Sequence, residues 1–326
     1  MAILALIVSF VLAFALCATF MPVFRHGFLV TPGVRSSHVK ATPQGGGLVV
    51  IPVAVAVTLA ATTHDAFAWT LIAALALLLG LGAWDDLKPL NPGLRLLAQA
   101  GAAALALAAT PHEFAATIAF LPPLLVTGCG LIAMLWFINL TNFMDGIDLM
   151  SVTQFVPAFV TIYLLLAALD GPAQWVGLLC LSCAGALLGF AILNRPHARL
   201  FLGDSGSLPL GLLGAVALLT AWGARGAGAA LLPFLYYIAD ASLTLARRVL
   251  AGEKPWQAHR DHFYQRANRS GLSTWQVIAR VGACNIVLCA LALGIAGRSA
   301  GVQAAALALG VAAVAVLLGD LARKRA

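Results

Sequence analysis

The sequence predicts an all-α, polytopic membrane helix bundle, and three observations carry that prediction. Hydrophobic residues fill 62% of the 326 positions and charged residues only 10%, against about 45–50% and about 25% in soluble domains. Apolar segments near bilayer-spanning length recur from one end to the other. All but two of the 19 Lys and Arg fall in alternate connections.

Eleven segments qualify: 2–22, 46–63, 67–83, 95–110, 118–138, 153–169, 173–193, 207–222, 227–248, 277–297 and 301–319. Together they make one transmembrane domain over 1–326. Residues 1–22 lack the basic start of a signal peptide and count as the first span. The connections after even-numbered spans are brief; those after odd-numbered spans are long and polar. Only Arg225 and Arg298 lie on the brief side. The positive-inside rule therefore puts the polar loops and the C-terminus in the cytoplasm, with the N-terminus outside.

Composition also excludes. The net charge of +7 is spread thinly over loops, which suits an anionic membrane face and anionic substrates but gives no basic block for nucleic acid. The six cysteines sit in apolar segments. Cys180 and Cys183 lack a second ligand pair, so they read as buried small side chains rather than a zinc site.

The five polar loops hold the chemistry. The first contains Arg35, His38, Lys40, Thr42, Pro43, Gln44 and three glycines at 45–47. Positive charge beside a pliant backbone suits a phosphate; close helix packing explains the glycines equally well. In the second, Asp85 and Asp86 stand side by side at a span end, an arrangement for a divalent cation or a shared proton. The third carries Asn139, Asn142, Asp145 and Asp148 at intervals of three, which a helix would gather on one face. No lipid-facing surface tolerates that cluster, so it must line water, a ligand or a metal.

The fourth loop runs through Asn194, Arg195, His197, Arg199 and Phe201 to Gly203, Asp204, Ser205 and Gly206. Backbone N–H groups at a helix start beside a carboxylate can hold a metal–phosphate pair; the plain alternative is an ordinary N-cap. The fifth contains His259, Arg260, Asp261 and His262. Zinc lacks a third ligand there, so contact with phosphate is the better reading. Carboxylates plus phosphate-binding groups imply Mg²⁺, and a site at the membrane edge implies a lipid substrate. The residues thus reach phosphoryl transfer between a soluble diphosphate and a lipid acceptor.

These loops, in this order, resemble the polyprenyl-phosphate N-acetylhexosamine-1-phosphate transferase family, relatives of phospho-N-acetylmuramoyl-pentapeptide transferase. The resemblance runs from Arg35 to Arg266. It implies transfer of a sugar-1-phosphate from a UDP-N-acetylamino sugar to undecaprenyl phosphate, with release of UMP. It implies Mg²⁺, with Mn²⁺ as a substitute, held by Asp204 and Asp85. Asp85, Asp86, Asp145 and Asp204 become the catalytic carboxylates, with Asp86 at the metal and lipid-phosphate end. Asn139, Asn142, Asp148, Asn194 and Phe201 would hold the donor, Phe201 by stacking on uracil. Lys40, His259, Arg260 and His262 would contact phosphates.

The histidine loop departs from the three clustered histidines of the muramoyl-pentapeptide branch, and Thr42-Pro43-Gln44 departs from it too. The departures point to the subgroup that starts O-antigen or similar surface glycans. A homodimer is compatible with the small-residue helix 301–319. The muramoyl-pentapeptide branch of the same family is the alternative within the resemblance, and two readings from outside it compete. A transporter or flippase would explain Asp240 inside the ninth span, but its carboxylates belong near the midplane rather than at one edge. A CDP-alcohol phosphatidyltransferase requires a different continuation after Asp145-Gly146.

Overall fold

The computed structural model describes residues 1–30, 41–110, 121–254 and 259–323. It is almost wholly helical: α1 (Ala2–Thr19), α2 (Met21–Gly27), α3 (Gly47–Ala61), α4 (Ala66–Leu87), α5 (Pro92–Ala109), α6 (Pro123–Met144), α7 (Met150–Leu166), α8 (Gly171–Asn194), α9 (Asp204–Arg225), α10 (Ala227–Leu231), α11 (Leu235–Leu250), α12 (Phe263–Arg269), α13 (Thr274–Ile295) and α14 (Ala300–Ala322). Two two-residue strands, β1 (Leu29–Val30) and β2 (Thr42–Pro43), pair antiparallel.

The chain is a multi-pass membrane protein. Among the described residues, nine helices are long and apolar enough to cross a bilayer, counting Ala227–Leu250 as one. The expected eleven is corrected on this point. The two remaining segments are helical but short, α3 with 15 residues and α7 with 17, and each contains a proline, Pro52 and Pro157. At 1.5 Å per residue neither fills a ~30 Å hydrocarbon core without tilt or thinning. The Ala227–Leu250 span is itself interrupted by a 3₁₀ turn at Leu232–Phe234, where Pro233 has no N–H to continue the ladder.

Helices α8 and α9 are buried almost all round and form the centre. Small residues permit this. A Cβ at Gly185 or Gly189 would overlap the backbone of Leu6 or Phe10 in α1, so the two helices touch main chain to main chain. The outer helices expose Ile3, Ile132, Leu309 and Val316 where lipid would lie. Trp69 near one end, and Trp84 and Trp275 near the other, are all more than half exposed, as in interfacial aromatic belts.

Candidate active site

The end of the bundle holding the polar loops is tied together by backbone pairing. Phe201 N–H donates to the Pro43 carbonyl, Gly46 N–H to Phe201 and Gly47 N–H to Leu202, each at 2.9 Å. The amides of Gly46 and Gly47 are therefore spent on carbonyls. A Cβ at Gly47 would overlap Gly206, and one at Gly82 would overlap Asp204 and Ser205. These glycines exist for close approach of three helix ends, so the packing reading displaces the phosphate reading at 46 and 47.

Asp86 fills a second structural position. Its Oδ1 accepts from Asp204 N–H at 2.8 Å and its Oδ2 from Ser205 N–H at 3.1 Å. It caps the start of α9 from a neighbouring helix, satisfying amides that α9 cannot. Gly203, at φ 78°, leaves no room for a side chain against that carboxylate. Both Asp86 oxygens are thus engaged by amides, which makes Asp86 a cap of α9 in this structure, directly beside Asp85.

Asp85 and Asp204 are arranged differently. One nitrogen of Arg95 lies 2.8 Å from Asp85 Oδ2 and 3.1 Å from Asp204 Oδ2. Asp85 Oδ1 accepts from Leu90 N–H at 2.6 Å. Asn142 Nδ2 donates to Asp204 Oδ1 at 2.7 Å and to Ser207 Oγ at 2.9 Å. Four helices, α4, α5, α6 and α9, thus place one residue each around a partly exposed pair of carboxylates. The pair already brackets a positive group, and its donors are hard oxygens. That chemistry fits Mg²⁺, which takes one or two protein carboxylates and fills its shell with water and phosphate. No group of three or more His, Cys, Asp or Glu in metal-binding geometry occurs among the described residues, so a tighter, all-protein cage is not built here.

The Asn139–Asp148 cluster divides. Helix α6 ends at Met144 and Asp145 is its C-cap, so the single helical face expected for all four residues is corrected: only Asn139 and Asn142 share it. Asn139, a turn deeper, donates to Gln99 Oε1 and to the Leu135 carbonyl, both at 2.8 Å. It tethers α5 to α6. Asp145 accepts from Ser151 Oγ at 2.6 Å. Burial pushes its carboxyl up to about 6; the Ser151 bond opposes this, while Asp148 and Asp86 add to it. Asp148 is 4% exposed and accepts from Ala198 N–H at 3.3 Å.

Asn194 accepts from Leu149 N–H at 2.8 Å and donates to the Leu200 carbonyl at 2.9 Å. Asp148 and Asn194 thus clamp the third loop to the fourth through backbone. Phe201 is half-buried at the rim, beside its pairing with Gln44. Lys40 lies outside the described residues.

In the fifth loop, His262 is 3% exposed and its Nδ1 lies 3.2 Å from Asp240 Oδ1. The His259 ring packs 5.0 Å from it. Tyr264 donates to the Phe143 carbonyl at 3.1 Å, which docks α12 on the third loop. Arg260 accepts through its carbonyl from Arg269 at 2.6 Å.

Sequence reasoning missed Arg95 as a site residue and read Asp240 only as facing the site or pairing with a neighbour. A charged residue in the first turn of an apolar span, ten positions after two aspartates, was the available signal for Arg95.

Comparison with known proteins adds an independent line. The profile of Glycosyl transferase family 4 matches residues 68–222. A phospho-N-acetylmuramoyl-pentapeptide-transferase of Synechococcus sp. (strain CC9605) is 35% identical over 245 residues, 67% of this chain and 69% of that one. Its counterpart in Lactiplantibacillus plantarum is 34% identical over 239 residues, 66% of this chain and 74% of that one. A decaprenyl-phosphate N-acetylglucosaminephosphotransferase of Mycobacterium tuberculosis is 28% identical over 321 residues, 85% of this chain and 78% of that one.

Proposed function

Because the chain belongs to glycosyl transferase family 4, a family of polyprenyl-phosphate phosphosugar transferases, we propose that it moves an N-acetylamino-sugar-1-phosphate from a UDP-sugar to undecaprenyl phosphate and releases UMP. The single observation that carries this reading is the Asp85–Arg95–Asp204–Asn142 constellation at one end of a membrane bundle. A membrane-edge cluster of hard oxygens and one guanidinium suits a diphosphate brought from water to a lipid phosphate. Seventeen of the 19 Lys and Arg (all except Arg225 and Arg298) belong to that end by sequence, which supports a cytoplasmic site.

A phosphate oxygen of the lipid attacks the β-phosphorus of the donor. The bond from that phosphorus to the oxygen bridging it to the α-phosphorus breaks, and UMP leaves with the electron pair. The lipid diphosphate sugar remains. The attacking monoester has a second pKa near about 6 and is largely dianionic at neutral pH, so positioning outweighs proton removal. Arg95 neutralises charge beside the transferred phosphoryl group, and Asn142 orients the Asp204 carboxylate. Mg²⁺ held by Asp204 with Asp85 would supply charge neutralisation at the diphosphate.

The donor reading is an N-acetylamino sugar of the surface-glycan type, favoured by the histidine loop His259-Arg260-Asp261-His262. The test is UMP release by purified protein in detergent, with undecaprenyl phosphate, Mg²⁺ and a panel of UDP-N-acetylamino sugars. Lipid-dependent and Mg²⁺-dependent release from one sugar, lost in Asp204→Asn, is expected. Absence of release across the panel, with the protein folded, would overturn the reading.

A further inference from the structure

We propose that Asp240 is the positioning residue for His262: it fixes which ring nitrogen carries the proton and holds the open nitrogen toward the phosphate chemistry of the site. The inference rests on the transferase reading for what His262 acts on.

Asp240 lies in α11 and is 0% exposed. Five donors converge on its two oxygens. His262 Nδ1 (3.2 Å), Phe263 N–H (3.0 Å) and Thr244 Oγ1 (3.3 Å) reach Oδ1. Tyr236 Oη (3.1 Å) and Tyr264 N–H (3.4 Å) reach Oδ2. The carboxylate therefore does two things at once. It receives the first amides of α12, as a cap supplied by another helix, and it holds the imidazole that immediately precedes that helix.

The two α12 amides take one oxygen each, and the imidazole shares Oδ1 with the first of them. A carboxylate acceptor facing Nδ1 fixes the ring hydrogen on that nitrogen. Among the described residues, Nε2 of His262 makes no hydrogen bond. The ring packs against His259 at 5.0 Å and stacks with Tyr264 at 5.8 Å between centroids, contacts that restrict its rotation. Tyr264 in turn rests on the Phe143 carbonyl next to Asn142, so what Asp240 fixes is fixed relative to the Asp204 network.

The experiment compares wild type, Asp240→Asn, His262→Gln and the double variant for kcat and KM in the UMP-release assay. It also records nitrogen-15 histidine spectra of the wild type above the imidazole titration range, with His262 assigned by its loss in His262→Gln. The inference expects Asp240→Asn to lower kcat about 10- to 100-fold. KM for the donor should stay within about twofold of wild type, and the double variant should be no slower than His262→Gln alone. In the wild type, the proton should reside on Nδ1. A wild-type kcat per folded molecule in Asp240→Asn, losses that multiply in the double variant, or a proton on Nε2 would each overturn it. If Asp240→Asn does not fold, the wild-type spectrum still decides. If the wild type releases no UMP, the transferase reading fails while the spectrum separately tests the dyad.

Discussion

A single guanidinium nitrogen of Arg95 bonds Asp85 at 2.8 Å and Asp204 at 3.1 Å. Two carboxylates from different helices thus share one cation, and neither is balanced without it. Replacing Arg95 by Ala should cut UMP release about 10²-fold and lower the melting midpoint in detergent. Arg95→Lys should recover only part of either, because an ammonium lacks the planar fork that meets two acceptors at fixed geometry. Activity in Arg95→Ala near the wild-type level would remove Arg95 from the site.

Asp86 and Asp204 are expected to separate on substitution. Asp86→Ala removes a cap from α9 and should cost about 1–2 kcal/mol of stability, with donor KM little changed in the protein that remains folded. Asp204→Asn should leave the melting midpoint nearly unchanged and abolish UMP release. Parallel thermal melts and steady-state kinetics decide. Equal, purely kinetic losses in both variants would return Asp86 to the chemistry.

Gly47→Ala and Gly82→Ala should fail as folding variants. Each new Cβ would meet backbone of the Ser205–Gly206 or Asp204–Ser205 segment, where nothing can swing aside. The overpacking penalty is about 3 kcal/mol, the upper end of the usual range. Loss of monodisperse protein in size-exclusion chromatography is the expected outcome; Gly80→Ala, which meets nothing within 4 Å, is the control.

Asp145 gives a pH signature. Its carboxyl stands near about 6 because it is buried, against about 3.9 in an unfolded chain. The folded state thus holds the proton more tightly. The stability gained is full below about 4 and is lost as pH rises through about 6. Asp145→Asn removes that dependence. Melting midpoints at acid and neutral pH should show the variant gaining on wild type as pH increases; a constant difference would contradict the burial argument.

The helix bundle was legible because hydropathy is written locally, residue by residue. Pro52 and Pro157 were visible too, but shortening of their helices depends on how the neighbours close around them. The carboxylates at 85, 86 and 204 were legible as a group, but their partners were not: Asp85 meets Arg95 while its neighbour Asp86 meets the first amides of α9. The histidine loop pointed to phosphate, yet Asp240, more than twenty residues earlier, could be joined to it only by the path of α11. Glycines 46 and 47 carried two meanings in the sequence, and only main-chain pairing with 201–202 chose between them.

That pairing limits what substitution can change at this end of the bundle. Strand, cap and three helix ends are locked there by amide–carbonyl bonds and by glycines that admit no side chain. The knot is a keystone that mutation can break but hardly reshape. Under the proposed transfer, a change of donor would therefore have to come from side chains around its rim, with the joint left as it is.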